Sequence, residues 1–138
     1  MSICEQNRLR AGPALTPPAF DPAEYALTPE VREWLGPMLE DAELPGAVAE
    51  ILRAKRAGAR TVAPDEPRAL PGRQVVYMAS GGGAQSAWLT DAPAAQAGQV
   101  SVVSLLGATL LGMRPLQRAP LPRDGGVATL VVLAIAAD

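Results

Sequence analysis

One stretch constrains the fold of this chain more than any other. From Gly98 to Gly112 the sequence runs Gly-Gln-Val-Ser-Val-Val-Ser-Leu-Leu-Gly-Ala-Thr-Leu-Leu-Gly. That is the order of a short β-branched strand, a serine helix cap, one apolar helix and a glycine stop. Val100, Val102 and Val103 are stiff at χ1, which suits a pleated, half-buried strand. Ser104 can accept a bond from an orphan amide of the first helical turn, a contact worth ~1 kcal/mol. Leu106, Leu110 and Met113 recur at helical spacing, so one stripe faces a core, and Gly112 tolerates the left-handed conformation that ends many helices. Gly107 falls inside the helix, where glycine costs about 1 kcal/mol relative to alanine. A close approach of another backbone would account for it.

Composition narrows the chemistry. The chain has 138 residues, a formal net charge of −2, no histidine and one cysteine, Cys4. This length fits one ordinary domain, or a small domain with an appendage. The charge argues against direct nucleic-acid binding, which needs a basic face. A disulfide framework within the chain is excluded and soft ligands are too few for zinc. The commonest general base and the Ser-His and Cys-His pairs are absent too, so no catalytic residue, cofactor or metal is assigned. The first twenty residues hold no apolar core of signal-peptide length. The most apolar run, Val127 to Ala137, is about half the ~20 residues a membrane helix needs. A cytoplasmic protein without a membrane partner is expected.

The chain divides into four parts. Residues 1–26 are rich in proline and alanine and read as an irregular arm, with Phe20 and Tyr25 as its candidate docking residues. Residues 27–60 turn helical. Thr28-Pro29-Glu30 is a helix start, and Val31, Trp34, Leu35 and Met38 form an apolar stripe, with Trp34 as hairpin core. Pro37 is placed to kink or shorten this helix. After a break at residues 40–46, a second helix is expected from Pro45 to Ala57, with Val48, Ile51 and Leu52 inward and Arg53, Lys55 and Arg56 at its basic end. The two make a short antiparallel helical hairpin. Residues 61–73 read as a linker. In residues 74–138 the periods are those of strands: Gln74 to Ser80 and Gln85 to Asp91 flank Gly81-Gly82-Gly83, and Arg118 to Leu121 and Val127 to Ala136 flank a turn at residues 122–126. The strand and helix of the opening stretch lie between these hairpins, which makes the fold class α+β. Trp88 is either core or the edge of an exposed patch.

The Gly98 to Gly112 stretch resembles the signature of the C-terminal domain shared by the bacterial transcript-cleavage factors GreA and GreB and the regulator of nucleoside diphosphate kinase, Rnk. That pattern is roughly Ile-Ser-x-x-Ser-Pro-x-Gly-x-Ala-Leu-Leu-Gly. Val100-Ser101, Ser104, Gly107 and Leu110-Leu111-Gly112 match it, while Leu105 stands where proline is usual and Thr109 where alanine is usual. Val62 to Pro67, Val75 to Ser80 and Leu121-Pro122-x-Asp124-Gly125 look like further family segments. The Gly81 to Gly83 hairpin is shorter than the family's, and Arg114-Pro115-Leu116-Gln117 replaces a charged segment. From about residue 28 onward the layout resembles Rnk most: a helical hairpin, then an FKBP-like, Gre C-terminal-type twisted antiparallel sheet with one helix. The resemblance implies a non-enzymatic transcription regulator that docks on RNA polymerase near its secondary channel. The loop carried over as the partner contact is Val103, Ser104 and Leu105, with Leu105 pointing outward and Leu106 and Leu110 inward. No oligomeric state is assigned.

Other readings are weaker. Gly81 to Ser86 is not a phosphate loop, because it lacks the Gly-Lys-Ser/Thr ending and precedes a strand. Glu40, Asp41 and Glu43 form an acidic hairpin tip. In the Gre factors such acids hold magnesium and promote RNA cleavage, which gives one alternative, a metal-dependent cleavage cofactor. A helix of ~12 residues rises only ~18 Å, too short for that reach, so the acids read as a solvated loop. A second alternative is a regulatory protein acting on another enzyme, such as nucleoside diphosphate kinase. Peptidyl-prolyl isomerase activity is rejected, since Tyr77 and Trp88 are the only aromatics in the sheet region and fold does not imply function.

Overall fold

The computed structural model describes residues 20–41, 43–123 and 126–136. Cys4 and most of the expected arm lie outside them. The helical hairpin is present. Helix α1 (Pro29–Met38) starts where the Thr28 hydroxyl accepts the Val31 amide at 3.3 Å, with Pro29 at the first position and Pro37 in the last turn. Helix α2 spans Gly46–Gly58. Arg32 binds the return end: its guanidinium donates to the carbonyls of Arg56, Ala59 (2.8 Å) and Arg60 (3.2 Å) and to the Thr61 hydroxyl, while Arg56 Nε donates back to the Arg32 carbonyl.

The end of the arm is core. After a 3-10 turn at Pro22–Glu24, strand β1 (Ala26–Leu27) pairs in parallel with β2 (Arg60–Thr61). Tyr25, Ala26 and Leu27 are buried. A two-helix hairpin has too little apolar surface to close on itself, and these residues fill the space between it and the sheet region. The segment between hairpin and sheet is also tied down. Arg73 donates to the carbonyls of Pro64, Glu66 and Arg68, and buried Arg68 reaches the carbonyls of Glu24 and Gly112. Burial and the charge of Arg60 lower the proton affinity of Arg68, and Glu66, 4.0 Å away, opposes them.

The sheet holds five strands. β3 (Gln74–Ala79) and β4 (Gln85–Thr90) form the first hairpin, whose turn needs the positive φ of Gly81. β5 (Gln99–Ser101) adds to β4, and β6 (Arg118–Arg123) pairs with the long β7 (Gly126–Ala136), giving the order β5-β4-β3-β7-β6. All pairings are antiparallel except β4 with β5, which departs from the expected wholly antiparallel sheet. Residues 91–98 step back only from Thr90 to the level of Trp88, so a short connection suffices for a parallel pair. Strand β5 also stops at Ser101, because the Ser101 hydroxyl captures the Val103 amide at 3.1 Å and turns the chain. Alternate residues such as Val75, Tyr77, Leu89, Leu121, Leu130 and Val132 face the core. Burial raises the Tyr77 hydroxyl above its ordinary pKa. Trp88 sits on the outer face, 37% exposed. Strand β6 is an open edge, with Pro120 opposite Thr129 and Pro122 opposite Val127.

Helix α3 (Leu105–Leu110) lies between sheet and hairpin, and its glycines answer to geometry. A Cβ on Gly107 would overlap the Ser101 carbonyl and stand 3.0 Å from Val102 Cα. Gly112 has φ +85, and a Cβ there would meet the backbone of Ala26 at 3.0 Å. Leu110 and Met113 are buried, whereas Leu106 is only half-buried, as is Leu105. The C-terminus of α3 is closed by Lys55, from the basic end of α2. Lys55 is fully buried and donates to the carbonyls of Ala108, Thr109 (2.8 Å) and Leu111 (2.7 Å), with the Tyr25 ring centroid 4.1 Å from Nζ. Burial drives the Lys55 amine below its ordinary pKa. The three carbonyls and the ring face oppose that, since three donors belong to the ammonium alone. Burial, then the charges of Glu24 and Asp21, push the Tyr25 hydroxyl upward, so its ring stays that of a neutral phenol.

Two substitutions test this account. Gly107→Ala forces backbone apart and should cost about 4 kcal/mol or more, or prevent folding. Lys55→Met keeps the stem and leaves three buried carbonyls without a donor. Urea unfolding should show a loss of about 2–4 kcal/mol, the removed desolvation cost of the charge offsetting part of the lost bonds.

Candidate functional site

The turn between β5 and α3 is held by its own serines. Ser101 Oγ donates to the Ala92 carbonyl at 2.6 Å as it accepts the Val103 amide. Ser104 Oγ donates to the Ser101 carbonyl at 2.7 Å and accepts the Gly107 amide at 3.0 Å. Both hydroxyls donate and accept, Ser104 within the turn and Ser101 also to the β4–β5 connection, and their effect is to present Val103 in one orientation. The three residues carried over as the partner contact therefore occupy different positions. Val103 is half-exposed and lines a groove, Ser104 is the helix cap, and Leu105 packs partly against the core.

That groove has a volume of about 330 Å³ and runs between the hairpin tip and the sheet domain. Trp34, Met38, Leu44 and Pro45 line it from the hairpin, and Pro93 and Val103 from the other side. Asp41, Glu43 and Asp91 are exposed on its rim. The tip is a structured turn: Asp41 Oδ1 accepts the Glu43 amide at 3.0 Å, and the Leu44 amide bonds the Asp41 carbonyl at 3.2 Å. Glu40 is exposed on the same tip and does not line the groove. Among the described residues, no three acidic or cysteine side chains converge on a point that could hold a metal ion.

Two groups that the sequence reading kept apart, the tip acids Asp41 and Glu43 and the loop residue Val103, thus border one groove. The reading missed Asp91, Pro93 and the role of Trp34 and Met38. The signal lay in the stripe of α1: of Val31, Trp34, Leu35 and Met38, only Leu35 is buried. A second cleft of about 160 Å³, lined by Phe20, Tyr25, Ile51, Thr109, Pro120, Pro122 and Val127, is almost wholly apolar.

Because Asp41 and Glu43 are exposed and, among the described residues, their side chains make one turn bond, replacing both with alanine should lower unfolding free energy by no more than about 1 kcal/mol. Urea titration would reveal a larger loss if the acids supported the fold.

No family model matches the chain, and no curated protein matches it. Among solved structures, the prokaryotic transcription elongation factor GreA/GreB from Nitrosomonas europaea is similar at a TM-score of 0.62 and 21% sequence identity, over 82% of this chain and 98% of that one. GreA factor homolog 1 (Gfh1) of Thermus thermophilus and Gfh1 of Thermus aquaticus are each similar at a TM-score of 0.43 and 19% identity, over 83% of this chain and 99% of theirs. What the chain shares with the Nitrosomonas europaea factor, at that identity, is the fold.

Proposed function

We propose that this protein is a non-enzymatic regulator of transcription of the Rnk and Gre type, binding RNA polymerase near its secondary channel without cleaving the transcript. The observation that carries this reading is the likeness of fold to a GreA/GreB elongation factor along 98% of that factor's length. It is supported by the signature residues, since Ser101, Ser104, Gly107 and Gly112 each build the turn and helix that present Val103. Two features argue against transcript cleavage. Helix α2 has 13 residues and so rises only ~20 Å. The acidic tip faces Asp91, Pro93 and Val103 across the groove rather than standing free at the end of an arm.

Binding to purified core RNA polymerase, followed by co-elution at micromolar concentration, tests the reading. Wild-type protein should co-elute, and stalled elongation complexes should show no cleavage that depends on Asp41 or Glu43. Leu105→Asp removes a side chain packed partly against the core and should cost about 1–2 kcal/mol of stability, offset in part by an acid in the first helical turn, yet fold and bind polymerase about tenfold more weakly, ~1.4 kcal/mol. Leu110→Asp should unfold the domain by burying an unpaired charge. Absence of co-elution by the folded wild-type chain would overturn the proposal.

A further inference from the structure

The groove at the hairpin tip combines an apolar floor with a rim of one sign. Trp34, Met38 and Val103 are large or β-branched side chains left half-exposed, although Trp34 and Met38 pack against the core. Tryptophan and methionine in a partly open depression are the side chains that most often anchor a partner's apolar group. The rim acids stand on both walls, Asp41 and Glu43 on the hairpin and Asp91 just after β4, and among the described residues no lysine or arginine lines the groove. Among the described residues none of these three carboxylates forms an ion pair within 4.0 Å. Three acids around one apolar floor repel phosphate, which excludes a nucleic-acid occupant, and complement a cation. Among the described residues, no cation balances the charge of this rim.

We propose that this groove takes a polypeptide segment presenting an apolar side chain flanked by lysine or arginine. The apolar side chain enters between Trp34, Met38 and Val103, and the flanking cations meet Asp41, Glu43 and Asp91. The inference rests on the polymerase reading only for whose segment this is, and the chemistry of the groove stands apart from it. A partner bound in this way ties hairpin and sheet domain together, because both walls contribute to its site.

The probe is an acetylated and amidated peptide of Lys-Leu-Lys-Ala repeats, compared with Glu-Leu-Glu-Ala and Lys-Ala-Lys-Ala peptides of equal length. Trp88→Phe leaves Trp34 as the single tryptophan reporter. The lysine-leucine peptide should give a saturable blue shift of Trp34 emission, weakened by salt, and the glutamate peptide none. The lysine-alanine peptide should bind at least tenfold more weakly. Asp41→Asn, Glu43→Gln and Asp91→Asn combined should weaken the lysine-leucine peptide at least tenfold, whereas Glu33→Gln with Glu50→Gln, on exposed helix positions outside the groove, should not. Absence of a shift, equal binding of the leucine and alanine peptides, or equal loss in the control variant would overturn the proposal. Polymerase binding undiminished in a rim variant that no longer takes the peptide would sustain the groove and assign its segment to a partner other than polymerase. Peptide binding with no binding to polymerase would sustain the groove and remove the polymerase reading.

Discussion

The buried ammonium of Lys55 is the joint on which the architecture turns. It leaves α2, crosses to α3, and supplies its three donors to carbonyls at the end of that helix. Tyr25, from the segment before the hairpin, closes the remaining side. Three stretches distant in the chain therefore meet at one atom. An isolated buried ammonium is expensive, and among the described residues no carboxylate pairs with it. The arrangement persists because any helix leaves its last carbonyls without internal partners, and α3 ends among buried residues. A cation beside that terminus also complements the helix dipole.

This joint explains why the hairpin lies along the sheet domain. Arg68 and Arg73 repeat the logic in the segment between them, their guanidinium groups collecting the backbone carbonyls of Glu24, Gly112, Glu66 and Arg68. With hairpin, connecting segment and α3 fixed together, the tip of the hairpin is held opposite the turn before α3, and the groove follows as a product of that placement. Its walls come from two regions whose separate sequences give no hint of proximity.

Much of the fold was legible because its signals are local. The Thr28 and Ser104 caps, the glycine turn after β3 and the alternation of the long last strand each act within a few residues, and each is found where it was expected. Gly107 was legible too, as a cost that only a close backbone could explain. Lys55 was not, because a lysine three residues after an inward leucine looks like any solvated end of a helix. Its partners are more than fifty positions away. The burial of Tyr25 to Leu27 was hidden for a related reason: a two-residue parallel strand has no period to read. At the groove, the residue types were visible and the pairing of Asp41 with Asp91 across it was not.

The prolines of β6 have a consequence for how this protein meets others. Residues of that strand alternate between amides turned toward β7 and amides turned outward, and a proline is tolerated only in the outward set. Pro120 and Pro122 both fall there, so Arg118 is the one residue of the open border left with an outward donor, too little for a foreign strand to pair with. The opposite border is β5, three residues long. Neither margin can template a growing sheet. A chain so sealed is protected against stacking with its own copies, and main-chain annexation by a partner is closed to it at both margins. Recognition is left to side chains and the shapes they enclose.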